Sequence, residues 1–153
     1  MQVHYLSWRT QNEFIASCAD YVRKVIVDEL KRSKYYSIMV DSTPDSSHVE
    51  QTSFVFRYII FKEDAKEYEI YERFLEFSDC NEKTGEDIPN LIKEVLKKYD
   101  VSLDDCRGQG FDNGSNVSGK YKGHILKSNP LAVYSLCGCH SLSLCGVCAA
   151  ESC

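Results

Sequence analysis

Residues 108–121 read GQGFDNGSNVSGKY, and the fold turns on whether this run cradles a phosphate or ends a strand on a carboxylate. From Gly114 to Lys120 the spacing is G-x-x-x-x-G-K, which matches the phosphate-binding loop up to its lysine. That motif continues with Ser or Thr, whose hydroxyl binds magnesium, and here Tyr121 follows instead. The loop must also follow a buried strand directly, whereas Gly108 to Asn113 leaves room only for a short strand that ends before Gly114. A strand closing on Asp112 is therefore the better reading.

Working outward, YYSIMVDST (35–43) is a second short β-rich run that also reaches an aspartate, Asp41. TSFVFRYIIF (52–61) is aromatic and β-branched on both faces, as a covered strand should be. KEYEIYERFLEF (66–77) is expected to form a third strand with an exposed acidic side, and short links join the three into an antiparallel meander. Before them, Thr10-Gln-Asn-Glu13 reads as a capping box. Phe14, Ile15, Cys18, Val22, Val25, Ile26 and Leu30 then recur at helical spacing. Residues 1–34 are thus an amphipathic helix packed on a core that occupies 35–153.

After the meander, TGEDIPNLIKEVLKKYD predicts a helix capped by Thr84, with Pro89 in its first turn, where proline is tolerated. The strand ending at Asp112, a helix from about Ser115 to Lys127, a buried strand over 132–137 and the start of a last helix follow. The order α, β-β-β, α-β-α-β-α predicts an α/β fold with a mixed sheet flanked by helices. If the fourth strand lies parallel to the first, Asp41 and Asp112 share one sheet edge, where open α/β sheets place their ligands. Two such carboxylates suit magnesium or manganese and phosphoryl transfer. The same residues also cap or turn a chain at strand ends and before Asn-Gly, with no function attached.

Composition sets the outer limits. The 153 residues are 43% hydrophobic and 27% charged, as in a globular domain. No apolar run reaches the ~20 residues of a membrane span, and no signal-peptide core opens the chain. An intracellular protein, nuclear or cytoplasmic and not secreted, is expected. The net charge of −5 argues against strong DNA binding by this chain alone, because phosphate neutralisation dominates such affinity. Lys120, Lys122, His124 and Lys127 form the one basic cluster near the glycine-rich run. They are candidate nucleic-acid contacts, although a solvated helix face is the preferred reading.

The quoted segments YYSIMVDSTPDSSHVEQTSFVFRYI, TGEDIPNLIKEVL, CRGQGFDNGSNVSGKYKG and NPLAVYSLCGCHSLSLC together resemble the catalytic region of hAT-superfamily transposases. The similarity is greatest to the branch that includes zinc-finger MYM-type and other domesticated host proteins, and it runs from about Tyr5 to Cys145. It implies a ribonuclease-H-like fold and two-metal DNA cleavage and strand transfer. Asp41 and Asp112 would be the first two metal-binding acids. Cys137 and His140 would match the Cys-x-x-His motif that organises the site. The third acid of such enzymes, a glutamate, follows a long helical insertion, and this chain stops before it. Glu151 precedes the insertion point and is not promoted to that role. Leu136 and Ser143 stand where close relatives usually have histidine and asparagine.

Five of the eight cysteines lie between Cys137 and Cys153, and with no export signal all eight are expected as thiols rather than disulfides. Cys137, Cys139, His140, Cys145 and Cys148 offer enough soft ligands for zinc, which needs four in a tetrahedron. Small buried hydrophobes on a truncated helix are the preferred account. Three functions compete on these residues. The first is a transposon-derived fragment, inactive alone, whose full-length relatives cut DNA. The second is a domesticated protein-interaction domain, with a protein partner or a second copy. The third is a stand-alone metal-dependent nuclease.

Overall fold

The computed structural model describes residues 7–44, 50–80, 87–111 and 125–151. Asp112, Lys120, Lys122, Thr84 and most of the helix expected from Ser115 lie outside those residues. The elements in order are α1 (Trp8–Ser33), β1 (Tyr36–Pro44), β2 (Glu50–Lys62), β3 (Glu67–Cys80) and α2 (Asp87–Lys98). A 3-10 turn (Leu103–Asp105) and β4 (Cys106–Phe111) come next, followed by one helical turn at 125–128, β5 (Val133–Leu136) and α3 (Gly138–Glu151). The five strands form one mixed sheet in the order β3-β2-β1-β4-β5. β1 with β2 and β2 with β3 are antiparallel, while β1 with β4 and β4 with β5 are parallel. The α/β class expected from the sequence is the class observed.

Alternation along the strands sorts the sheet into two unlike faces. Tyr36, Ile38 and Val40 of β1 point to the same side as Phe54, Phe56, Tyr58 and Ile60 of β2, and all are buried. Ile26, Val27 and Leu30 of α1 and Ile92, Val95 and Leu96 of α2 complete that core. On the other side Ile59, Phe61, Tyr68, Ile70, Phe74 and Phe77 remain exposed, with Arg57 and Glu72 paired among them at 2.5 Å. Two consecutive residues of β3, Leu75 and Glu76, are buried because the register shifts between Phe54 and Val55, leaving Leu75 as an extra residue. The expected acidic side of β3 is thus interrupted: Glu76 is only 7% exposed.

Three more expectations need correction. The α1 cap is Ser7, whose Oγ accepts from the Thr10 amide at 3.1 Å, while Glu13 pairs with Arg9. Ser7 is the better cap because it starts the helix one turn earlier and still satisfies an open N–H. The apolar stripe of α1 is covered only in its last turns. Phe14 and Ile15 are 70% and 63% exposed, since the sheet lies beneath the C-terminal part of the helix alone. β5 is not buried either: Val133 and Leu136 are exposed, because it is an edge strand with β4 as its partner. No helix among the described residues is long and apolar enough to cross a membrane.

Buried polar groups tie the connections to the sheet. Asn129, 4% exposed, donates from Nδ2 to the carbonyls of Leu103 (2.7 Å) and Cys106 (2.8 Å) and accepts from the Leu131 amide. Tyr36 donates to the Ser102 carbonyl at 3.0 Å, and Tyr58 to Glu29 of α1 at 2.6 Å. Burial pushes the Tyr36 and Tyr58 phenols well above the ordinary range, and Glu29 adds to the rise at Tyr58. Burial also raises the Cys106 thiol.

Two outcomes follow. Asn129→Ala removes two hydrogen bonds to carbonyls and the one from the Leu131 amide and should lower stability by about 2–3 kcal/mol in urea unfolding, whereas Lys127→Ala at an exposed position should change it by less than about 0.5 kcal/mol. The second concerns alkali. Tyr36, Tyr58 and Cys106 hold their protons more tightly when folded, so their stabilisation is complete below the unfolded values of 9.0 for Cys and 10.0 for Tyr. Above them the unfolded chain loses protons first. The melting temperature should therefore fall as pH rises from 9, and Cys106→Ala should delay the onset toward the tyrosine range.

Candidate functional site

Parallel pairing places the C-terminal ends of β1, β4 and β5 side by side. The register Ser37↔Gly108 and Met39↔Gly110 continues on the far side as Gly110↔Ser135 and Phe111↔Leu136. Asp41 is exposed and has the same alternation as Ser37 and Met39, so it shares their face rather than the core. Its carbonyl accepts from Ser53 Oγ at 3.0 Å, and beside it Ser42 and Thr52 share a hydroxyl bond at 2.9 Å. These contacts hold the strand end while leaving the Asp41 carboxylate in solvent. Phe111 is the last described residue of β4, and Asp112 is the next residue along the chain.

Gly108 and Gly110 have a structural account. A Cβ on Gly108 would lie 2.5 Å from Ser37 Oγ, and one on Gly110 would lie 3.2 Å from Met39 Cγ. The neighbouring side chains of β1 occupy the space that these two glycines leave open, which accounts for both without a ligand.

Cys137 also lies at this edge, since its amide donates to the Phe111 carbonyl at 3.2 Å and its own carbonyl accepts from Ser141 at the start of α3. His140 and Cys139 are in the first turn of α3, and their side chains lie outside the described residues. Cys137, Cys145 and Cys148 are exposed. The reason is that α3 follows an edge strand and its apolar residues Leu142 and Val147 are exposed as well. Among the described residues no three His, Cys, Asp or Glu side chains converge in a metal-holding group. Of the two aspartates singled out from the sequence, Asp41 is the one among the described residues.

Lys127 stands elsewhere. It belongs to the turn at 125–128, which Asn129 anchors to the carbonyls of Leu103 and Cys106 at the N-terminal end of β4. Six residues of β4 at ~3.3 Å each separate that end from the edge that carries Asp41.

The sequence did not disclose the buried carboxylate of Glu76. Its Oε2 accepts from Lys98 Nζ and from the Tyr99 hydroxyl, each at 2.6 Å, and so fastens the end of α2 to β3. The bond to Glu76 raises the Lys98 ammonium, while burial first and Glu76 second raise the Tyr99 phenol. An open cleft of about 560 Å³ adjoins Lys98 and Tyr99, lined also by Asp20, Arg23, Lys24, Asp28 and Asp100. Its acids and bases balance, and Asp20 and Arg23 already pair with each other. The signal that would have revealed Glu76 is a strand bulge, which hydrophobic alternation alone does not mark. Gln109 is the other buried surprise: Nε2 donates to the Ala132 carbonyl at 2.8 Å, and Oε1 has no partner among the described residues.

Comparison with known proteins agrees with this geometry. The family model described as DUF4371: ZMYM1/FAM200, RNase-like domain matches residues 2–123. The chain is 24% identical over 143 residues to the "52 kDa repressor of the inhibitor of the protein kinase" of Homo sapiens. The protein of the same name from Mus musculus is 24% identical over 142 residues. The alignments cover 92% and 91% of this chain but 18% of either relative, so the chain spans less than a fifth of their length. With the family model covering most of its residues, the chain belongs to the ZMYM1/FAM200 RNase-like domain family, a transposase-derived group.

Proposed function

We propose that this chain is a hAT-transposase-derived domain of ribonuclease-H-like topology that does not cut DNA by itself. The observation that carries the reading is the parallel placement of β1 beside β4, with Asp41 exposed on β1 two residues past its last pair with β4. In this reading Asp41 and Asp112 are the two acids inherited from a metal-dependent ancestor, and magnesium or manganese would supply the activation of an attacking oxygen there. Within these 153 residues the third acid of the hAT pattern has no counterpart. Two carboxylates leave a two-ion site short of ligands and charge. Cys137 and His140 keep the position of the motif that orders the edge.

A non-enzymatic role in protein contacts is the second reading, and the relatives favour it. Both bear the word repressor in their names, which suits a regulatory domain acting through partners. The net charge of −5 agrees, because DNA recruitment by an acidic domain would be weak and strongly salt-dependent. A nuclear or cytoplasmic place fits either reading, and zinc on the α3 cysteines has no role in them.

Labelled duplex DNA incubated with the chain and magnesium or manganese tests this directly. No cleavage above the buffer control is expected. Cleavage that disappears in a folded Asp41→Asn variant would overturn the proposal in favour of a nuclease. Cleavage that persists in the variant would be a contaminant. In parallel, manganese binding followed by water relaxation should weaken in Asp112→Asn if the two-acid site persists.

A further inference from the structure

The outer edge of β3 is the surface that the rest of the structure leaves unexplained. β3 is the terminal strand of the sheet, with β2 as its partner among the described residues. It runs fourteen residues, EYEIYERFLEFSDC, without a proline or a lysine, the residues that usually blunt an edge. Its register with β2 is unbroken from Glu67 to Phe74, opposite Lys62 to Val55, and shifts only at Leu75. The regular, flat part of the edge is therefore centred near Tyr71. Tyr68, Ile70 and Phe74 on one face of it are 75%, 63% and 46% exposed, and Glu69, Glu72 and Arg73 are exposed as well.

We infer that this edge pairs antiparallel with β3 of a second copy of the chain, about a twofold axis through Tyr71. Antiparallel pairing about an axis normal to the sheet keeps each residue on its own face, so partners are equidistant from the centre. Glu69 then meets Arg73 of the second copy, twice by symmetry. Tyr68 meets Phe74 of the second copy, also twice. Within one chain Tyr68 already rests against Phe61 at 5.0 Å between ring centroids, and Phe74 against Phe77 at 4.7 Å. Pairing at Tyr71 joins these two aromatic pairs into one stripe across the exposed face. Opposite charges and aromatic pairs directly across strands are the contacts that stabilise a sheet.

Neighbouring registers are worse. An axis through Glu72 sets Glu72 against its own copy, and like charges directly opposite are destabilising. An axis through Ile70 faces Glu69 with Tyr71 and Tyr68 with Glu72, which breaks the aromatic match. It also asks Lys66 to extend the ladder, and Lys66 has a positive φ of 54° that ends the strand. Arg73 lies over the Tyr71 ring at 4.8 Å and bonds the Tyr58 side chain, and no carboxylate among the described residues is within ion-pair distance of it. Glu69 is tethered only at the surface, to Tyr71 at 2.6 Å and Lys62 at 3.5 Å.

Sedimentation velocity over a micromolar concentration series tests the inference with a charge swap. The unaltered chain should show a monomer–dimer equilibrium. Arg73→Glu and Glu69→Arg should each raise the dimer dissociation constant about tenfold or more, because both symmetric pairs turn repulsive together. The double variant E69R/R73E should recover to within about threefold of the original, since the swapped charges attract again. Circular dichroism checks folding, and if one single variant does not fold the other reads the same pair. A chain that stays monomeric throughout would overturn the proposal. A dimer indifferent to both single changes would also overturn it, placing self-association on another surface. So would a double variant no better than the singles.

Discussion

The parallel pairing of β1 with β4 is the constraint on which everything else rests. Three antiparallel strands would make a free-standing ribbon. It is the return of the chain through α2 to the open side of β1 that turns the ribbon into a mixed sheet and gives it an edge made of strand C-termini. The pairing is close because Gly108 and Gly110 leave space for Ser37 and Met39. It is held because Tyr36 reaches the Ser102 carbonyl and Asn129 reaches the two carbonyls that flank the turn before β4. Losing these contacts would loosen the pairing that joins the two halves of the sheet.

A one-sided core is the second consequence. Helices α1 and α2 supply apolar side chains to one face, and the buried Glu76 with Lys98 and Tyr99 fixes where α2 ends on it. A carboxylate so enclosed is costly unless it is partnered, and here Oε2 accepts from an ammonium and a phenol while Oε1 accepts from the Ser78 hydroxyl at 3.5 Å. The opposite face retains the aromatic and branched residues of β2 and β3 in contact with solvent.

Much of the architecture was legible because hydrophobic period and turn chemistry act locally. The three strands at 35–43, 52–61 and 66–77, the long first helix and the helix around Pro89 all appear within a few residues of where pattern placed them. Asp41 was read as the end of the first strand, whereas β1 runs three residues further, to Pro44, in register with β2. What failed did so for non-local reasons. The burial of Phe14 and Ile15 on α1 depended on how far the sheet extends beneath the helix. The burial of β5 depended on whether another strand lies beyond it. The acidic side of β3 depended on a bulge that is defined only by its partner strand.

The sequence by itself therefore determined which segments are strands and which are helices, because periodicity is written within a dozen residues. Only the tertiary structure decided which strands are neighbours, which face of the sheet is covered, and that Lys127 lies at the opposite end of β4 from Asp41. The physical reason is that pairing and burial join residues distant in the chain. Their free energy belongs to the assembled sheet, and no single segment carries it.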